Sequence, residues 1–147
     1  MSVFDKAKEA IRGLSGGIND VIKETFRQQQ KLIVNYNAEE QLYKLGEDSK
    51  GSIIKPAYSR ATVKLKRAKG QPINRVTLRD TGKFHKTLIV TPFEDYVEIS
   101  SNISYSKYLL KKYGDNILGI QEELLKDFVK LYVLPKLKEE AKRKLEL

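Results

Sequence analysis

Two short runs rich in β-branched residues, Thr87 to Thr91 and Tyr96 to Ser100, stand four residues apart in a chain whose other apolar residues recur mainly at helical spacing. Pro92-Phe93-Glu94-Asp95 between them allows a reversal and little else, so the two runs read as an antiparallel hairpin. A lone two-stranded ribbon needs an apolar cover to persist in water. Amphipathic helical patterns lie on both sides of it. The pattern therefore predicts an α+β fold, a small antiparallel β-sheet or hairpin core with long N- and C-terminal amphipathic helices.

Val3, Phe4, Ala7, Ala10, Ile11 and Leu14 mark a first helix that Ser2 can cap and Gly16-Gly17 stops. A second pattern runs from Ile18 through Val21, Ile22 and Phe26 into Leu32 and Ile33, and continues toward Leu42-Tyr43. The turn formers between Gly46 and Gly51 predict a loop. Ser59 is an N-cap for a short basic helix from Arg60 to Ala68, which Gly70 ends. Val76 to Leu78 reads as a brief strand, after which Asp80-Thr81-Gly82 turns and Asp80 or Thr81 caps a helical turn through Phe84 and Lys86. Asn102 or Ser104 caps a helix from Tyr105 to Tyr113, stopped by Gly114. The last helix carries Glu122 and Glu123 in its first turn and Lys142, Arg143 and Lys144 in its last, as the macrodipole favours, and Pro135 should kink or divide it. One domain over 1–147 results, with helical region 1–45, basic loop and helix 46–75, an α+β core 76–120 and C-terminal helix 121–147.

The chain has 147 residues and no cysteine, which removes disulfides, thiolate metal sites and cysteine nucleophiles together. No apolar run approaches the roughly 20 residues that cross a bilayer, and the charged start, Met1 to Ala10, is unlike a signal peptide, so a soluble, unprocessed chain with no membrane partner is expected. Its 28 Lys and Arg exceed its 19 Asp and Glu by nine. Residues 1–50 and 91–147 are each electrically neutral. Residues 51–90 hold ten basic residues against Asp80 alone, so the whole excess lies in one segment. A localised stripe of this kind meets something acidic, whether nucleic acid or another protein, or else acidic parts of its own fold or of a neighbouring copy.

Few residues invite a catalytic reading. Asp-Thr-Gly is the loop that presents the carboxylate of an aspartic protease, whose mechanism needs two carboxylates sharing a proton. Arg79 before it and Lys83 after it suit that loop poorly, and the helical ends suit an all-β enzyme no better; a turn with a cap is the favoured reading. His85, the only histidine, has no second His or Cys to share a metal and reads as an exposed or half-buried polar residue. Neither a nucleophile elbow nor a phosphate loop is present. No enzyme, cofactor or metal is expected. The basic group Arg60, Lys64, Lys66, Arg67, Lys69, Arg75 and Arg79 could face a protein partner or a DNA backbone; with only Tyr58 nearby, base stacking is not supported. Tyr96, Tyr105, Tyr108 and Tyr113 could pack in the core or, for Tyr105, Tyr108 and Tyr113, form subunit contacts, Tyr105 and Tyr108 sharing a helix face.

The order V-T-L-R-D-T-G-K-F-H-K-T-L, a hairpin ending at Val97-Glu98-Ile99-Ser100-Ser101-Asn102, then Tyr105-Ser106-Lys107-Tyr108, Tyr113-Gly114 and Leu118-Gly119 resembles the tail-completion and head-tail joining proteins of tailed bacteriophages. The likeness covers Val76 to Ile120, about a third of the chain. Asp80, Thr81, Gly82, Phe84, Tyr105 and Gly114 occupy matching positions; Ser106 departs from the usual Ala, and Gly46 to Gln71 reads as an insertion. The resemblance implies a non-enzymatic virion protein of the tail or neck, made in the host bacterial cytoplasm. It would form a homo-oligomeric ring between the portal-side connector and the tail proteins, with DNA passing through its lumen. Asp80, Thr81, Gly82 and Phe84 would then be a structural turn, with Gly82 permitting a positive φ, Asp80 and Thr81 satisfying backbone amides and Phe84 anchoring the core. A stand-alone basic DNA-binding or packaging factor is the alternative.

Overall fold

A computed structural model describes residues 18–93 and 97–145 of the chain. The first helix expected over residues 2–14, Tyr96 and the hairpin tip at Glu94 and Asp95 lie outside the described residues.

The α+β architecture is as expected, with helices α1 (Ile18–Gln28), α2 (Gln30–Asn35), α3 (Arg60–Ala68), α4 (Lys83–Lys86), α5 (Ser106–Tyr113), α6 (Glu122–Phe128) and α7 (Leu134–Leu145) around one two-stranded antiparallel sheet. The strands are β1 (Leu88–Pro92) and β2 (Val97–Ser101), each one residue later than the sequence pattern suggested, with Val90 opposite Ile99. Leu88, Val90 and Ile99 point inward while Ile89 is exposed, the alternation of a ribbon with one covered face. β1 packs on α1 and α2, and α1 also lies along α7.

Where α2 ends the chain stays helical but widens into a π-helix, Tyr36–Leu45, so the second helical pattern does reach Leu42 and Tyr43. The widened segment carries Asn37 and Gln41, both fully buried. Asn37 donates from Nδ2 to the Ile117 carbonyl at 3.1 Å and accepts from the Gly119 amide at 2.9 Å. Gln41 repeats the arrangement one step on, donating to the Gly119 carbonyl and accepting from the Gln121 amide, each at 2.8 Å. Residues 117–121 thus receive from two side-chain amides the hydrogen bonds that a neighbouring strand would otherwise supply. Gly46 closes the π-helix at φ 63, and a Cβ there would sit 2.7 Å from Arg75 Cβ, so glycine permits both the left-handed turn and the close approach.

Instead of the kink or division expected at Pro135, the chain stays helical from Glu122 to Leu145 and changes its winding. α6 passes into a second π-helix, Val129–Val133, immediately before the proline, and the chain continues as α7. A proline removes one backbone donor, and a locally widened turn is a usual way for a helix to absorb that loss. Phe128 is the centre of the core, its ring 5.1 Å from Phe26, 5.5 Å from Tyr132 and 6.2 Å from Tyr36. Buried side chains of this one cluster come from Ile22 through to Leu137. Ile54 belongs to it and Tyr58 packs against it, so the segment read as an insertion is fastened to the core.

Val76 to Leu78 is a correction: it forms no strand, since no described strand lies beside it. Val76 and Thr77 are buried without strand pairing, and Leu78 turns to φ 56.

Candidate interaction site

Ser59 caps α3 as the sequence suggested, accepting from the Thr62 amide at 3.2 Å, and Gly70 follows the end of the helix at φ 69. The helix is inverted in an unexpected way. Lys66 is 8 % exposed, whereas Leu65 beside it is 64 % exposed. Lys66 Nζ donates to the Arg79 carbonyl at 3.0 Å and to Gln71 Oε1 at 3.3 Å, and lies 4.9 Å from the centre of the Tyr58 ring. A buried ammonium needs such acceptors to offset its lost hydration.

The seven basic residues expected to form a charged surface therefore divide. Lys69 pairs with Asp80 at 2.6 Å. Arg75 donates to the Tyr43 carbonyl at 2.7 Å and covers the Tyr43 ring, and Arg79 lies 4.1 Å from the same ring while pairing with Glu39. Together with Lys66, these are fasteners between α3, the turn and the π-helix. Arg60, Lys64 and Arg67 stay exposed, and at i, i+4 and i+7 they share one face of α3. The exposed residues Ala61, Leu65 and Ala68 form an apolar face beside it.

Asp80-Thr81-Gly82 is a turn, but its caps differ from the expected ones. Gly82, at φ 86, is itself the N-cap residue of α4. Thr81 Oγ1 accepts from the Lys83 amide at a long 3.4 Å, and the Asp80 carboxylate is spent on Lys69 rather than on a backbone amide. The Lys69 hydrogen bond holds the Asp80 carboxyl below the usual carboxylate range. An exposed carboxylate paired with a lysine is the opposite of one that shares a proton with a second carboxylate. Phe84, 2 % exposed, anchors α4 in the core as anticipated.

His85 is a second correction. Far from being exposed or half-buried, it is 4 % exposed, held between the Thr77 carbonyl at Nε2 (2.9 Å) and Arg79 Nε at Nδ1 (3.3 Å). The two contacts are mutually consistent only for neutral imidazole with its proton on Nε2. Burial, reinforced by the Arg79 charge and opposed by the Thr77 carbonyl, pushes its pKa down to about 4. Thr77, fully buried, is fixed at every polar atom: its amide donates to Tyr58 Oη at 2.8 Å and its Oγ1 accepts from the Arg79 amide at 3.3 Å. Leu78 is thereby held in its left-handed conformation between two pinned neighbours.

An open groove of about 450 Å³ lies over this turn, bounded by Leu78, Phe84 and Tyr58 and by α5. Tyr105 and Tyr108, one turn apart, are both exposed rather than packed in the core, and Tyr105 also belongs to a second stripe. Tyr105, Leu109 and Tyr113 line the groove at successive four-residue steps, while Tyr108 lies outside it and is 64 % exposed. No side chain caps α5, so Asn102 and Ser104 do not play that part; Tyr105 is the N-cap residue. Among the described residues no three His, Asp or Glu are grouped to hold a metal, and no helix is long and apolar enough to cross a membrane.

Lys66 and His85 were the site residues least legible beforehand, because both are polar types that usually stay near water. The position of His85 directly after the core anchor Phe84 is the one local signal for it. Comparison with family models, with curated proteins and with solved structures finds no match.

Proposed function

We propose that this chain is a non-enzymatic virion structural protein of a tailed phage or prophage, a homo-oligomeric ring subunit of the neck that joins the portal-side connector to the tail. The observation that carries the reading is the face of α3. Leu65, 64 % exposed, stands beside three cations that have no acidic partner among the described residues, Arg60, Lys64 and Arg67. A large apolar side chain bordered by unpaired charge is the composition of a protein contact rather than of a solvated surface. A complementary patch lies on the same chain. Leu131 is 59 % exposed and Asp127, one turn before it, is exposed, while Glu123 on the same helical stretch pairs with Lys126 at 3.5 Å. Unlike patches at different places on one subunit meet head to tail, which is the geometry that closes rings. The order of motifs from Val76 to Ile120 supports the virion assignment.

The test is co-sedimentation of the full chain with the connector and tail proteins encoded beside it. The variant Lys64→Glu with Arg67→Glu should leave the far-UV circular dichroism unchanged and abolish co-assembly. Intact co-assembly in that variant refutes the reading.

The same three cations support a second reading, a stand-alone DNA-binding or packaging factor. Three phosphate contacts give a logarithmic salt slope of about −3, whereas all seven basic residues would give about −6. A gel-shift titration that yields a slope near −3, with no oligomer in the sedimentation profile, would favour it over the ring.

A further inference from the structure

We propose that the groove between the Asp80-Thr81-Gly82 turn and α5 is a docking slot for a short peptide segment of a partner protein, one that combines a carboxylate with an aliphatic or aromatic side chain. The inference stands on the groove alone and holds whether or not the chain is a virion ring subunit.

The groove's volume of about 450 Å³ is within the range that takes a small ligand or a few residues of peptide. Its apolar lining is Leu78, Leu109, Phe84 and the rings of Tyr58, Tyr105 and Tyr113. Tyr105 remains 40 % exposed, so an aromatic surface is available to an incoming side chain. Tyrosines of this kind offer contact area at low conformational cost together with a hydroxyl at the rim.

The charge of the lining selects the partner's sign. Asp80 is the one carboxylate in the groove wall, and Lys69 already engages it at 2.6 Å. Arg79 is engaged by Glu39. Lys66 and Lys83 remain, two ammonium groups in no ion pair among the described residues, although the Lys66 charge also acts at longer range on Asp80. The Lys66 ammonium donates to a carbonyl and an amide oxygen and lies over the Tyr58 ring, three neutral partners that leave its charge without a paired carboxylate. A carboxylate arriving at an almost fully buried ammonium gains far more than one meeting an exposed lysine. Leu78 points to the same conclusion from the backbone. A leucine at φ 56 is conformationally unfavourable, yet the contacts of Thr77 and Arg79 fix both of its neighbours and present its side chain to the groove. Strain held in place by surrounding bonds is characteristic of binding sites.

A duplex is excluded as occupant by the size of the groove and by the apolar character of its walls. A second copy of this chain is the competing occupant, and the test separates it.

The full-length chain is titrated into fluorescein-labelled hexapeptides that place Leu, Phe or Tyr one to three residues from Asp or Glu, each beside its Asn or Gln counterpart, with polarisation as the readout. At least one acidic peptide should bind, and its neutral counterpart should bind about tenfold more weakly or less. Leu78→Gly suits the left-handed backbone but gives up the leucine's packing against the core; with far-UV circular dichroism showing it folded, it should weaken binding about tenfold. Lys66→Met should erase the preference for the acidic peptide over the neutral one. Tyr108→Ala, outside the groove, should change neither. Absence of binding across the panel overturns the proposal, as does equal affinity for acidic and neutral peptides. If Leu78→Gly instead alters the sedimentation coefficient while no peptide binds, the groove is a seat for a second copy and the peptide assignment is wrong.

Discussion

His85, the only histidine, makes the stability of this protein depend on pH already between about 6.5 and about 5, above the range in which carboxylates titrate. Its imidazole is neutral in the folded state, with a pKa pushed down to about 4 by burial and by Arg79, against about 6.5 in an unfolded chain. The folded pKa is the lower one, so the unfolded state binds the extra proton in the interval between. Stability is complete above the unfolded value and falls as the pH drops from about 6.5 toward about 4. Linkage over that shift gives a loss of about 2 kcal/mol between about pH 7 and about pH 5, and about 3 kcal/mol by pH 4. The structural cause is visible in the contacts. A proton added at Nδ1 would face the Arg79 Nε–H that this nitrogen now accepts from at 3.3 Å, while Glu39, which pairs with the same arginine, recovers only part of the cost.

Urea denaturation followed by far-UV circular dichroism across this range measures the slope directly. His85→Gln keeps a donor within reach of the Thr77 carbonyl and removes the titration. The wild-type curve should therefore steepen toward acid while that of the variant stays flat until the carboxylates begin to protonate. Equal slopes in the two proteins, or a wild type that gains stability on acidification, would refute the assignment of His85 as a buried neutral base.

Phe84→Ala empties a fully covered position beneath the turn and should cost about 3 to 5 kcal/mol, read as a lowered urea midpoint or outright loss of folding. Gly82→Ala should cost about 1 to 2 kcal/mol purely through its φ of 86, because the added Cβ meets nothing nearer than Lys86 Cε at 3.8 Å; a neutral result would mean that the turn relaxes. Asp80→Asn removes an exposed pair with Lys69 and should change stability by less than about 1 kcal/mol, leaving co-assembly intact. Asn37→Leu strands the Ile117 carbonyl and the Gly119 amide, for a loss of about 2 to 4 kcal/mol, and hydrogen exchange at Gly119 should accelerate even under conditions where the rest of the chain stays protected.

The elements whose signals are local could be read from the sequence. The hairpin follows from its alternation, to within one residue, and the start and end of α3 follow from Ser59 and Gly70, since a cap and a left-handed stop act within a few residues. The failures share a different cause, a partner distant in sequence. Nothing near Val76 reveals that it lacks a neighbouring strand. Nothing near Asn37 and Gln41 reveals residues 117–121, some eighty positions away, although the two amides continue the stripe begun by buried Ile33 at four-residue steps. That continuation is the signal for buried polar groups: a helix face that stays in register while its chemistry changes must be paired with something.

Charge shows the same dependence on distant partners, and it changes what the excess of nine means. Of the ten cations in residues 51–90, Lys66, Lys69, Arg75 and Arg79 are fasteners within the fold. Those with no acidic partner among the described residues do not form one stripe. Arg60, Lys64 and Arg67 occupy one side of α3, while Lys66, which lines the groove with Lys83, points roughly 120° away around the same helix. A single rigid polyanion lying along Arg60, Lys64 and Arg67 would leave the groove ammonium untouched, and a peptide seated on Lys66 would leave the outer face free. Two surfaces of this kind on one short helix act independently by construction, so reversing Lys64 and Arg67 should abolish assembly through α3 without altering what the groove admits.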